Sequence, residues 1–450
     1  MKQQAVKSIK LDSCPGERVT AFGGMAVAHR LLLRMGVWPM FGRLLPQRRG
    51  YSMEEVVVSA ITGLLTGARG TFATEVVRKD PALLSLMGLS RAPEEATFWR
   101  ALQDVGEARE QMSKLSLSIT RQAVSRAPRR AIYEGKWLPV FIDGTLLEGS
   151  GRREGTKWIR EKGEGLMWTV GFVGPYAADQ VLCGEGEGEG EITAARTLIK
   201  RIDGKLLEPQ GLRKDALVLM DSLHGNDATL TELEKRELCY IVGVKGLTSA
   251  EKSLDQQPEC QWLATPEYDA ARGVEDSAVC TAWLQCEEWP EKRLIVGRRW
   301  RRKGEFVWNY AAVATNIAPG DKRLGKKAAE GDGQFARAIW RLYNRKGACE
   351  NHFKNLLRDL RLHNPPCQEW IRNAGFYAIG ALTGLIASAI DVLTSPVTGR
   401  RRSIATLRRW LFAVPARVRV HARTARVTIL GLTEWWHGWI DLRFRRAARC

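Results

Sequence analysis

Leu138-Pro-Val-Phe-Ile-Asp143 and Ala216-Leu-Val-Leu-Met-Asp221 follow one plan: a short apolar run that ends in an aspartate. Apolar runs of this length, bounded by turn residues, read as buried strands. Each aspartate is followed by small polar residues, Gly144-Thr145 in one case and Ser222 in the other. The ends of buried strands are where an open α/β sheet presents its reactive groups. Met167–Val173 and Gln180–Cys183 are further strand candidates. A helix follows with Ile192, Ala195, Ile199 and Ile202 on one stripe, then another through Leu230 and Leu233, then a strand at Cys239–Val244. Strands first, then strands alternating with helices, predict an α/β core over residues 131–250.

The flanking regions read differently. Residues 1–130 are predicted helical: Ser52-Met-Glu-Glu has the form of a capping box, and Val56, Ala60 and Leu64 follow at helical spacing. Short helices in a basic chain fit either a DNA-binding bundle or a plain helical support. Residues 251–325 carry Trp262, Trp283, Trp289, Trp300 and Trp308 among charges and turns. Arg293–Arg302 and Phe306–Ala314 read as a β-hairpin, so this stretch is predicted to be a β-rich insertion. Helix resumes over 326–365. Residues 366–450 are predicted to form a helical, basic C-terminal region.

Ala374–Ile390 carries no charge over 17 residues, the low edge of a membrane span. Its three glycines and the adjacent Asp391 favour a helix buried inside the protein. A membrane-surface protein anchored here stays open as an alternative.

The 450 residues are 44% hydrophobic and 26% charged, which excludes a disordered or fibrous chain and allows several domains. Lys and Arg number 69 against 50 Asp and Glu, a net charge of +19. Such a balance points to a polyanionic partner. From Arg400 to Cys450 there are 13 Arg against Glu434 and Asp441, so 13 − 2 = +11 lies in the tail. The nine cysteines are scattered with no CxxC pair, and the first residues lack the apolar core of a signal peptide. A reducing cytoplasm is expected.

Asp143 and Asp221, brought side by side, repel unless a divalent cation lies between them, and hard oxygen ligands suit Mg2+ or Mn2+. A third candidate lies in Tyr343-Asn-Arg-Lys-Gly-Ala-Cys-Glu350, which continues to Lys354 and Arg358. On one helix, residues 343, 346, 350, 354 and 358 form a single stripe. Arg298-Arg-Trp-Arg301 is a basic run holding an aromatic, the composition of a surface that tracks a phosphate backbone and stacks on bases. The Gly-Glu run at 184–191 reads as an acidic loop; His224, three residues after Asp221, reads as a solvated loop residue, with a place near the site as the alternative.

Two strand-end aspartates and a helical glutamate, in that order on an α/β core in a basic chain, resemble the DDE transposases of bacterial insertion sequences. The resemblance is to the cut-and-paste branch with a β-strand insertion between the second Asp and the Glu. That branch carries a Tyr-x2-Arg-x3-Glu-x6-Lys signature. Tyr343 and Glu350 match it; Lys346 stands at the Arg position with Arg345 beside it, and Leu357 at the Lys position with Arg358 beside it. The resemblance implies an RNase H-like mixed sheet with flanking helices. It implies Asp143, Asp221 and Glu350 as catalytic ligands of two Mg2+ or Mn2+ ions, and cleavage of transposon ends followed by strand transfer. DNA contacts are expected from Tyr343, Arg345, Lys346, Lys354 and Arg358, and from Arg298, Arg299, Trp300 and Arg301. The implied partners are double-stranded DNA, both terminal inverted repeats and target, and a second copy of the chain on that DNA. The implied location is the bacterial nucleoid. A relative that has lost the chemistry stays open beside this.

Overall fold

The computed structural model describes residues 18–149, 152–159, 163–184, 190–244, 247–265, 274–395, 401–421 and 424–431. Most of the Gly-Glu run and the last nineteen residues of the basic tail lie outside that set. After a two-residue strand β1 (Val19–Thr20) the chain is helical: α1 (Met25–Arg34), α2 (Val37–Leu44), α3 (Met53–Thr66), α4 (Ala73–Arg78), α5 (Pro81–Leu86), α6 (Glu95–Glu107), α7 (Arg109–Arg126) and α8 (Arg129–Ile132). The capping box read at α3 is formed: Glu55 N donates to Ser52 Oγ, and Ser52 N donates to the Glu55 carboxylate.

The sheet begins with β2 (Leu138–Glu148), β3 (Lys157–Ile159), β4 (Gly163–Val173) and β5 (Tyr176–Leu182), in which β4 pairs antiparallel with the other three. Then α9 (Glu191–Ile202) leads to β6 (Ala216–Met220), and α10 (Asp227–Lys235) to β7 (Cys239–Gly243). β6 is parallel to β2, and β7 to β6. The spatial order β5-β4-β2-β6-β7, three antiparallel strands and then two parallel ones reached through helices, is the RNase H-like mixed sheet expected.

The insertion comprises α11 (Leu247–Asp255), β8 (Leu263–Ala264), β9 (Val274–Cys286), β10 (Trp289–Arg302) and β11 (Asn309–Thr315). The anticipated hairpin is β10–β11, with Leu294 opposite Thr315 and Trp300 opposite Asn309. β11 also pairs with β7, so the insertion prolongs the central sheet instead of forming a separate layer.

The chain returns through α12 (Asp332–Tyr343), a tight turn at Asn344–Lys346, α13 (Gly347–Lys354) and a wider helical segment at Asn355–Asp359. The single stripe expected along 343–358 is therefore broken twice. α14 (Trp370–Thr394) and the short α15 (Ile404–Leu407) follow. The helical reading of the C-terminal region then gives way to a hairpin, β12 (Ala416–His421) with β13 (Thr424–Ile429). The cause is a period of two: Ala416 and Val418 face inward and alternate with Arg417 and Arg419. β12 also pairs with β1, closing a small three-stranded sheet.

α14 is long and apolar enough to cross a membrane, but 89% of that stretch is buried in the fold, against α3, α6, α7 and β5. Its glycines are points of close approach. A Cβ on Gly375 would meet Leu102 O of α6 at 2.3 Å, and Gly380 and Gly384 receive Leu362 and Leu356. Packing on so many sides overturns the reading of 374–390 as a membrane anchor: exposing it to lipid would dismantle the core.

Candidate active site

The register of the parallel pair β2–β6 places the two aspartates. Leu138 is opposite Ala216 and Phe141 opposite Leu219, an offset of 216 − 138 = 78 that Asp143 and Asp221 share, since 221 − 143 = 78. They project from matching positions of neighbouring strands, which lie about 5 Å apart. Asp143 is not the last residue of its strand: β2 runs on to Glu148, held by β4 alone after β6 has ended at Met220. Asp221 caps the turn that follows β6, accepting from Leu223 N at 3.0 Å. Gly243 on β7 lets that turn lie close, because a Cβ there would sit 2.7 Å from Ser222 N.

A third acid joins them, and it is Glu191. Ligand oxygens of Asp143, Glu191 and Asp221 all lie within 4.8 Å of one another, the group of acids in the described residues suited to a metal ion. Glu191 opens α9, where the helix N-terminus favours an anion. Ala194, Ala195, Leu198, Ile199 and Ile202 bury that helix on the sheet and so fix its first turn. The sequence reading merged Glu191 into the Gly-Glu run. The signal available was its place immediately before the amphipathic stripe. His224 is fully buried, not a solvated loop residue; its Nε2 lies 3.6 Å from Glu191 Oε1 and 3.7 Å from Asp221 Oδ1.

The turn before α13 brings Lys346 into the same space, where its Nζ donates to Asp143 Oδ2 at 2.9 Å. Burial works to lower the Lys346 amine, and the Asp143 and Asp221 carboxylates outweigh it, so its pKa lies above the ordinary lysine value. Burial likewise raises the Tyr343 phenol, opposed by Lys346 and assisted by both aspartates. Cys349 is buried and its thiol is held well above the usual range by burial first and by Asp143 next. Glu350 lies one turn beyond Lys346 on α13, exposed and outside the cluster of three acids. Lys354 and Arg358 are also exposed. Arg345 is 60% exposed and 3.6 Å from Glu134.

The insertion residues divide. Arg299 is 7% exposed, paired with Glu259 and stacked 4.3 Å from both the Trp262 and the Trp308 ring. It holds the insertion together and is withdrawn from the DNA-contacting set. Arg301 bonds Asp276 at 2.6 Å, and Arg298 lies over Trp300 at 5.5 Å. Some tail arginines are also structural. Arg402 bonds the buried Asp391 at 2.7 Å, and Arg408 donates to Leu64 O, Leu65 O and Asp359 O, capping the C-terminus of α3. Beside Arg345 a cavity of about 690 Å³ is lined by Lys136, Arg323, Lys327, Arg337 and Arg341.

An RNase H-like sheet with carboxylates clustered at two adjacent strands presents a site suited to a divalent cation. The family model of the transposase DDE domain, group 1, matches residues 184–434, more than half of the chain. The chain belongs to the DDE transposases and is a DNA transposase. The matched stretch contains Glu191, Asp221 and Glu350 and begins after Asp143. Among solved structures, a piggyBac transposase synaptic complex with hairpin DNA is similar at 10% identity and a TM-score of 0.40, over 86% of this chain and 78% of that one. No curated protein matches the chain.

Proposed function

We propose that this transposase cleaves the ends of its element in a divalent-cation-dependent reaction and joins them to target DNA. Asp143 and Asp221 hold the cation from adjacent strands; the resemblance adds Glu350, on the helix that follows the insertion and outside the cluster of Asp143, Glu191 and Asp221 in this structure, as an acid that joins them on DNA. The observation that carries the reading is the shared register of Asp143 and Asp221 beside Lys346. The oxygen-rich donor set fits Mg2+ or Mn2+. Held there by these carboxylates, divalent cations would supply stabilisation of the negative charge that develops as the phosphodiester is cleaved.

The chain's own residues do the rest. Lys346 neutralises Asp143 until a cation arrives, and keeps the two aspartates from repelling each other. Arg345, Lys354 and Arg358, exposed along the same helical segment, and the basic cavity beside Arg345 hold the phosphate backbone. The helical N-terminal region binds the terminal inverted repeats. Two copies act together, because two ends are cut and joined in concert. The setting is the nucleoid of a bacterial cell carrying the insertion sequence.

The test is a gel assay on an end-containing duplex, with Mg2+ added only for nicking. Asp143→Asn and Glu350→Ala are expected to lose nicking about 100-fold or more while binding DNA normally, as when electrostatic stabilisation of a transition state is removed. Near wild-type nicking by Glu350→Ala removes that residue from the site; near wild-type nicking by Asp143→Asn sinks the mechanism.

A further inference from the structure

Glu191 is 8% exposed and lies on the first turn of α9, yet its carboxylate reaches the strand that carries Asp143. Gly144 makes this possible. Its φ is not in the left-handed region, so the backbone would accept a side chain, but a Cβ there would lie 2.4 Å from Glu191 Oε1. The Glu191 carboxylate thus occupies the space a side chain at 144 would fill, next to Asp143. Three carboxylates share this space, and Lys346 offsets one of their charges.

His224 is the second observation. It is completely buried, and neither ring nitrogen has a hydrogen-bond partner. Nε2 faces the gap between Glu191 and Asp221 at 3.6 and 3.7 Å, beyond hydrogen-bond reach of both. A buried imidazole nitrogen without a partner is costly and calls for a ligand in the gap it faces. A divalent cation meets that need and the excess of negative charge together.

We propose that Glu191 and His224 complete the cation site of Asp143 and Asp221, one adding an oxygen ligand and the other a nitrogen. The inference rests on the reading that Asp143 and Asp221 bind the cation. An imidazole ligand suits transition metals, whereas an all-oxygen set suits Mg2+ and Mn2+ alike. The site is therefore biased toward Mn2+ over Mg2+.

The test uses the metal-free full chain titrated with MnCl2, with loss of the free Mn2+ signal in electron paramagnetic resonance as readout, and pulsed spectra of the loaded protein for nitrogen coupling. The wild type is expected to show imidazole nitrogen coupling, and Mg2+ competes weakly. Glu191→Gln is expected to bind Mn2+ about tenfold more weakly or worse, the size of loss seen when groups around a metal are altered. Gly144→Ala changes no ligand but displaces the Glu191 carboxylate, so it is expected to weaken binding too; circular dichroism checks that both variants are folded. If Asp143→Asn weakens binding while Glu191→Gln and Gly144→Ala bind like wild type, Glu191 is not a ligand and the two-aspartate reading stands. Absence of nitrogen coupling overturns the assignment of His224. If Asp143→Asn itself binds like wild type, the underlying reading falls with the rest.

Discussion

Lys346 and Asp143 form a contact 2.9 Å long between side chains only 20% and 17% exposed. A cation entering the site competes with that ammonium. Lys346→Gln is expected to lower stability in chelator by about 1.5–3 kcal/mol, the range for a lost hydrogen bond to a charged group. The rise in melting temperature on adding Mg2+ should then exceed that of wild type, because the ammonium no longer offsets the Asp143 charge. Equal Mg2+ shifts in calorimetry would show that Lys346 and the cation do not share Asp143. A second residue gives a pH signature. Burial holds His29 below its ordinary value of 6.5, and its ring lies 5.1 Å from that of Trp38. The unfolded chain takes up this proton at higher pH than the fold does, so stability is lost as pH falls through 6.5 toward the folded value. His29→Phe should flatten the change in urea midpoint between about pH 7.5 and about pH 5.5; an unchanged slope would acquit His29. At this scale the sequence was legible where two residues announced each other. Asp143 and Asp221 end matching apolar runs, and the common offset that sets them on adjacent strands is written in those runs. Glu191 and His224 were less legible: one closes a repetitive acidic run, the other lies three residues after Asp221 in a polar loop, and only the fold brings the two together.

At the scale of elements, the sheet and the first helices follow from patterns of two and 3.6 residues, which local sequence carries. What was not legible depends on contacts between elements. The helical run expected along 343–358 tightens at Asn344–Lys346, where Lys346 meets Asp143, while Glu350 one turn on is exposed. The β12–β13 hairpin was hidden by its arginines, since the apolar half of the alternation is short. α14 was read rightly as a buried helix, and its glycines show how. Gly→Ala inside a helix ordinarily stabilises by about 1 kcal/mol. At Gly375 the sign should reverse, because the new Cβ would meet Leu102 O at 2.3 Å and the two helices would have to part. Overpacking of this kind costs about 1–3 kcal/mol. Urea unfolding of Gly375→Ala checks it, and a variant as stable as wild type would mean that α6 and α14 can separate freely.

For the whole molecule, net charge announces a polyanion but does not say which cations meet it. The +19 total includes arginines spent inside the fold: Arg299 between two tryptophans, Arg402 on Asp391, Arg408 on the end of α3. The sequence reading assigned Arg299 and Arg345 to DNA on equal terms, and burial separates them. Binding to an end-containing duplex should weaken linearly in log–log form with salt, with a slope of about −0.9 for each phosphate neutralised. Arg345 is 60% exposed beside the basic cavity. Arg345→Ala should reduce the magnitude of the slope by about 1 and leave the melting temperature unchanged. Arg299→Ala should do the reverse: it opens the stack of Trp262 and Trp308, so the melting temperature falls while the slope holds. The two variants differ by the same charge, so any difference between them comes from where the charge sits. Equal loss of slope in both would mean that the insertion rearranges to expose Arg299 on DNA, and that the stack is a resting arrangement of the unbound protein.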